Sequence, residues 1–338
     1  MKTLVCSEPG RFEYKLVPEP LPGKGRAIIK IKRIGICGTD LHAFEGTQPY
    51  FTYPRVLGHE LAGELVSFDD APGFSVGDLV TFIPYFNCDN CIACRNNKPN
   101  CCTRMQVCGV HIDGGMSEYL SVPSSSLLHG GGLTVDELAL VEPLSIGAHG
   151  VRRAGVNPGE IVLVIGAGPI GLGTMEMARI AGAKVIGLDV NETRLRFCRE
   201  KLSIPYTINA SKTDVTAELM EITGGDMPTV VMDATGNNNA INNAFQYMAH
   251  GARYVLIGLQ KDNITFSHPE FHKREATLMS SRNATRSDFE HVISSIQACK
   301  IKPLNYITHR VPFEQAGDQF SSWLSPASGV IKAMVELA

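Results

Sequence analysis

Long apolar runs are missing from this chain of 338 residues. The longest, Ile161 to Gly173, is rich in glycine and falls short of the roughly 20 apolar residues a helix needs to span a bilayer, so no membrane partner is expected. Excess positive charge is missing too. With 31 Lys and Arg against 34 Asp and Glu, the net charge is -3, which provides no field to gather phosphate backbones and excludes nucleic acid as an expected partner. The opening MKTLVCSEPG lacks a basic stretch leading into an apolar core. No secretory signal is therefore expected, and the cytoplasm is the expected compartment. Tryptophan occurs once, as Trp323, and reads as packing. There is no fixed-period repeat and no low-complexity segment.

What is present describes a folded globular chain. Hydrophobic residues make up 44% and charged residues 19%, and the length suffices for two domains with separate cores. Ten cysteines in a long chain without a signal read as metal ligands and free thiols rather than as a disulfide framework. From Lys2 to about Val122, short β-prone pieces (Ala27 to Ile34, Leu61 to Val66, Leu79 to Ile83) alternate with Gly, Pro and Asp, predicting a β-rich lobe. From about Gly159 strands and helices alternate: IVLVIG, a helix to Ala181, KVIGLD, NETRLRFCREKL, TVVMDATG and ARYVLIGL. This pattern predicts an α/β fold with a parallel, doubly wound sheet. After Leu278, a helix at Ser287 to Cys299 and an apolar strand at Gly329 to Val335 are expected to return to the first lobe. The stretch Arg253 to Leu259 is expected as either an edge strand or an interior one.

The strand at Ile161 to Ile165 runs into Gly166-Ala167-Gly168-Pro169-Ile170-Gly171 and then into a helical pattern. That context gives the GxGxxG spacing its meaning: a tight turn at Gly166, close approach of a pyrophosphate at Gly168, and helix-to-strand packing at Gly171. The phosphates would sit on free amides at the helix start. Asp189 ends the next strand, where a carboxylate binds both ribose hydroxyls and repels a 2'-phosphate, so NAD is expected over NADP. Arg194 lies close by as a further cofactor contact.

Cys88, Cys91, Cys94 and Cys102 follow C-x2-C-x2-C-x7-C in a loop-like stretch. Four thiolates close a tetrahedral zinc, which makes the site structural. Cys101 is an alternative fourth ligand, and an iron–sulfur cluster takes the same ligand type. A second set is scattered: Cys37 in GICGTDLH, His59 and Glu60 in VLGHE, and Glu142 in VEPLSIG. Thiolate, imidazole and carboxylate suit a zinc that keeps an open position. Each residue also has an ordinary reading, as a buried thiol, a core histidine or a solvated acid, and spacing alone does not bring them together.

The order GICGTD-x-H, GHE-x-x-G, four cysteines, DGG-x-SEY, EPLSIG and GAGPIG resembles the zinc-containing medium-chain alcohol dehydrogenase superfamily across the whole chain. YPRVLGHE, GVHIDGGMSEYLSVP, PEFHK and SSRNAT are similar to its polyol and sugar-acid branch. The resemblance implies a GroES-like catalytic domain at 1–143 and 282–338, with a structural-zinc lobe near 86–104, and a Rossmann NAD-binding domain at 144–281. It further implies two zinc ions and NAD per chain. Cys37, His59 and Glu60 would hold the catalytic ion, with Glu142 a fourth ligand or bonded to the zinc water. Thr39 and His42 would pass the substrate proton outward, beside Glu60 and Glu142 in catalysis, and Arg282 would lie near the substrate. The implied reaction oxidises a secondary alcohol of a sugar acid or polyol, with L-galactonate to D-tagaturonate as the leading candidate and sorbitol, L-idonate or threonine as alternatives. A non-catalytic NAD sensor is a further reading, and relatives of this kind are homodimers or homotetramers.

Overall fold

The computed structural model describes residues 1–48 and 51–338. Two compact units divide the chain, one made of Met1–Pro143 with Thr285–Ala338 and the other of Leu144–Ala284. The return to the first unit falls between Ala284 and Thr285, three residues later than the motif boundary at 282.

In the first unit, the long strand Arg26–Gly35 is the spine of a seven-stranded sheet among the described residues. It pairs antiparallel with Glu60–Phe68, Tyr119–Pro123 and Lys332–Glu336. Ile307–Pro312 then runs parallel to Lys332–Glu336. Register shifts at Ile28/Ile29 and Ile31/Arg33 bend the spine against Glu60–Phe68, as bulges do. The sheet buries Ile29, Ile31, Ile34, Leu61 and Leu65 with Phe320 and Trp323 of the C-terminal helix Ala316–Leu324. The tail thus contributes one more strand and one more helix than the sequence suggests. Ile307–Pro312 alternates half-buried with exposed positions, so its apolar signal is weak. Ala316–Leu324 buries only Ala316, Phe320 and Trp323.

The second unit is a six-stranded parallel sheet in the order Tyr206–Asn209, Lys184–Asp189, Ile161–Ile165, Val230–Asp233, Arg253–Leu256, Thr277–Ser280. Its central strands are near-continuous Val, Ile and Leu, as expected where helices cover both faces. Leu163, Ile186, Val231 and Tyr254 are fully buried. Helix starts carry the expected caps: Pro169 at the first turn of Pro169–Ile180, Asn191 before Glu192–Leu202 and Asp214 before Val215–Thr223. Arg253–Leu256 is an interior strand, and Thr277–Ser280 forms the edge beyond it. No helix among the described residues is long and apolar enough to cross a membrane.

Candidate active site

The helix Gly38–Glu45 starts at Cys37, whose sulfur accepts the Thr39 N–H at 3.5 Å. Asp40, in the first turn, reaches back to accept the Cys37 N–H at 2.9 Å, closing a capping box. The other oxygen of Asp40 accepts the Gly58 N–H at 3.1 Å and lies 3.8 Å from His59 Nδ1. One buried carboxylate therefore stitches the start of this helix to the chain entering the strand Glu60–Phe68. Burial pushes its own pKa up, against the opposing charge of His59.

The result of that stitching is convergence. One donor atom each from Cys37, His59 and Glu60 lies within 4.8 Å of the others. Glu60 fits because its strand partner is Gly35, where a β-carbon would stand 2.3 Å from Glu60 Oε2. Lys332, on the strand flanking the other side of the spine, donates to both oxygens of Glu60 at 2.6 Å, and both residues are essentially buried. Burial pulls the lysine pKa down, but the charge and hydrogen bonds of Glu60, joined by Cys37 and Glu142, together outweigh it and the net direction is up. Glu142 stands in the first turn of Val141–Ala154 and accepts a hydrogen bond from the Tyr85 hydroxyl. Burial raises its pKa to about 7. Its carboxylate lies outside the three-donor cluster but is close enough to act electrostatically on His59.

These donors suit a cation. His59 Nδ1 is buried without a hydrogen-bond partner, and the buried carboxylates of Asp40, Glu60 and Glu142 outnumber the buried basic groups beside them, Lys332 and His59. Buried carboxylates in such excess call for additional positive charge. The borderline set of sulfur, nitrogen and oxygen matches zinc with an open position.

The second cluster draws Cys88, Cys91, Cys94 and Cys102 within the same 4.8 Å limit. Cys91 Sγ stands 3.4 Å from Cys94 Sγ and 3.9 Å from Cys102 Sγ. Four sulfurs about 2.3 Å from a tetrahedral zinc are about 3.8 Å apart, so the cage needs little adjustment. Backbone N–H groups of Cys88 and Arg104 donate to Cys102 Sγ at 3.3 Å each and favour a thiolate, against burial, which pushes this thiol up to about 11. Hydrogen bonds led by the Cys94 N–H hold the Cys91 pKa down to about 5. Cys101, the alternative ligand, is exposed and outside the cluster.

In the second unit, Gly168 caps the helix Pro169–Ile180, with Ile170 in its first turn. A β-carbon on Gly171 would lie 1.8 Å from Gly166 O, whereas one on Gly168 would meet only Arg194 Nη1 at 4.0 Å. Gly171 is thus required by packing, while Gly168 leaves open space at the helix start. Asp189 accepts N–H groups of Ala167 at 2.6 Å and Asn191 at 2.8 Å, which holds it at the strand end beside this turn. A hollow of about 550 Å³ is lined by Gly236, Asn237, Asn238 and Gln260, past the carboxyl ends of two further strands. Ligands of open parallel sheets bind along this edge. Arg282 is exposed just after the edge strand, and His42 is exposed on its helix.

Asp40, Tyr85 and Lys332 belong to the site, and motif reading missed all three. Lys332 had a detectable signal, a lone cation in the otherwise apolar stretch Gly329 to Val335. Asp40 had a weaker one, three residues after a helix-starting Cys.

A Cys-His-Glu cluster beside a capped helix, together with a dinucleotide-type turn on a parallel sheet, defines a metal-dependent oxidoreductase architecture. The chain matches the alcohol dehydrogenase GroES-like domain over residues 23–130 and the zinc-binding dehydrogenase domain over residues 169–298. It is 43% identical to an L-galactonate-5-dehydrogenase of Escherichia coli, covering 99% of this chain and 98% of that protein. It is 32% identical to a sorbitol dehydrogenase of Halalkalibacterium halodurans over 91% of this chain and 92% of that one. An Escherichia coli alcohol dehydrogenase complexed with NADH superposes with a TM-score of 0.92 at 29% identity, covering 100% of this chain and 99% of that one. The chain belongs to the zinc-type alcohol dehydrogenase family.

Proposed function

We propose that this protein is an NAD-dependent, zinc-containing dehydrogenase that oxidises a secondary hydroxyl of a sugar acid, with L-galactonate, giving D-tagaturonate, as substrate. The observation that carries the chemistry is the convergence of Cys37, His59 and Glu60 within 4.8 Å at a helix start. A zinc held there would supply Lewis acidity toward a substrate hydroxyl, and a bound NAD would serve as hydride acceptor. The chain's own residues do the rest. Asp40 fixes His59, Lys332 holds Glu60, and Glu142 serves as a fourth ligand or as hydrogen-bond partner to solvent at the open position. Thr39, next to Cys37 on the helix, takes the hydroxyl proton and His42 carries it to water, since an imidazole accepts and releases protons near neutrality. Cys88, Cys91, Cys94 and Cys102 hold a structural zinc that orders their own loop.

In the second unit, Gly166, Gly168, Pro169, Ile170 and Gly171 cradle the pyrophosphate, Asp189 takes the adenosine ribose, and Arg194 leans over the turn. The identity with the L-galactonate-5-dehydrogenase supports the acid over the polyol, and the planar fork of Arg282 suits a carboxylate. Assembly into a homodimer or homotetramer is supported by the unpaired outer edge of Thr277–Ser280, where Leu278 is exposed. The deciding experiment is NADH formation over L-galactonate, L-gulonate, L-idonate, sorbitol, galactitol and L-threonine. The highest kcat/KM is expected on L-galactonate, and a preference for sorbitol over every acid would overturn the substrate assignment.

A further inference from the structure

At the far end of the helix that begins with Cys37, the chain turns through Gly46, in the left-handed region at φ 81°, and brings Thr47 back beside His42. The Thr47 N–H donates to His42 O at 2.9 Å, which fixes the threonine against the last helical turn. Its hydroxyl Oγ1 lies 2.9 Å from Glu45 Oε2 and 3.3 Å from His42 Nδ1. Glu45 Oε2 itself is 3.6 Å from the same ring nitrogen.

A carboxylate only accepts, and a hydroxyl has one proton to give. The Thr47 proton therefore goes to the Glu45 carboxylate at 2.9 Å, because the competing acceptors, His42 Nδ1 at 3.3 Å and His42 O at 3.4 Å, are neutral and farther away. Toward the ring, Thr47 Oγ1 has only lone pairs left, so Nδ1 must carry hydrogen. We propose that Thr47 and Glu45 are positioning residues that hold neutral His42 as its Nδ1–H tautomer, leaving the basic lone pair on Nε2. This inference rests on His42 acting in the proton path of the proposed reaction. The arrangement runs against the intrinsic bias of a free histidine side chain, which favours hydrogen on Nε2. It also prepares for the step itself. When Nε2 accepts the substrate proton, the imidazolium keeps its Nδ1–H bond to Thr47 and gains the nearby charge of Glu45. The Nε2 proton is then lost to water, restoring the same tautomer.

The test is nitrogen NMR on full-length, zinc-loaded protein with ¹⁵N-labelled histidine, recorded where the ring is neutral and assigned by the signal lost in His42→Gln. Wild type is expected to show a protonated Nδ1 and an unprotonated Nε2. Thr47→Val and Glu45→Gln should shift the population toward Nε2–H, and Thr47→Ser should restore the wild-type pattern. In the NAD-coupled assay near neutrality, Thr47→Val should lower kcat by about 3- to 10-fold, a small part of the roughly 100- to 10,000-fold that a whole general base contributes, while substrate KM stays unchanged. Nε2–H in wild type, or an unmoved tautomer in Thr47→Val, overturns the inference. Failure of the proton-path reading looks different: His42→Gln would then turn over as fast as wild type near neutrality, while the Nδ1–H tautomer and its dependence on Thr47 would still be seen.

Discussion

Glu60 and Lys332 sit 272 positions apart in the chain and form a buried ion pair at the metal cluster. In the metal-free protein, removing the lysine alone leaves the buried Glu60 carboxylate without its partner. Breaking such a pair from one side costs about 3–5 kcal/mol, whereas replacing both charges costs far less. Lys332→Met is therefore expected to lose about 3 kcal/mol in urea denaturation, and adding Glu60→Gln to recover most of it. Equal losses in the single and double variants would mean that the pair is not coupled. Sequence separation explains why motif reading found one partner only. GHE is local, so its roles are visible in order and spacing, while Lys332 acquires meaning only once two strands lie beside the spine. Arg282 is the opposite case, a residue singled out by resemblance whose exposed position says nothing by itself. If it reads a carboxylate, Arg282→Ala should erode preference for aldonates over polyols while leaving polyol turnover intact. An unchanged ratio would remove it from the substrate site.

Elements whose periodicity is strong were legible, and elements shaped by their neighbours were not. IVLVI, KVIGLD and the helix after GAGPIG announce themselves, because β-branched runs and a glycine turn leave few alternatives. The strand Thr277–Ser280 did not, since it is mostly exposed and its register comes from Arg253–Leu256 rather than from its own pattern. Within the legible turn, two glycines separate by physics. Gly171→Ala would drive a methyl to 1.8 Å from Gly166 O, so apo stability should fall with coenzyme binding. Gly168→Ala has room in the apo protein, where its nearest neighbour is 4.0 Å away, so thermal stability should hold while NADH affinity drops. Fluorescence titration and melting curves check both, and parallel behaviour of the two variants would contradict this division.

The helix Glu192–Leu202 carries a pH signature at its start. Hydrogen bonds from Arg199, then Asn209, together with the charge of Lys212, hold the Glu192 pKa down to about 2. A carboxyl depressed in the folded state stabilises fully above its unfolded value near 4.3 and loses that contribution as pH falls through its folded value. Glu192→Gln should therefore lower the melting temperature at neutral pH, with the deficit shrinking from about pH 4 downward. A deficit that is constant with pH would point to packing instead.

Across the whole molecule, chemistry is divided by unit. Both candidate metal clusters belong to Met1–Pro143 with Thr285–Ala338, and the glycine-rich turn and Asp189 belong to Leu144–Ala284. The two clusters differ in kind as well. Cys37, His59 and Glu60 offer three donors on the edge of a sheet core already closed by Ile34, Leu57 and Leu61. The four cysteines span a segment whose only regular pieces are a four-residue helix and a three-residue 3-10 turn. A three-donor site with an open position should release its ion to a chelator before a closed thiolate cage does. Fresh protein is thus expected to hold two zinc ions per chain, about 2 by metal analysis. Mild chelation should remove one, abolishing turnover while circular dichroism and NADH binding persist. Harsher treatment should take the second and open the Cys88–Cys102 segment to protease, because its regular structure amounts to one short helix and one 3-10 turn. Proteolysis at this segment before activity is lost, or full turnover after the first ion has gone, would show that the assignment of the two clusters is reversed or wrong.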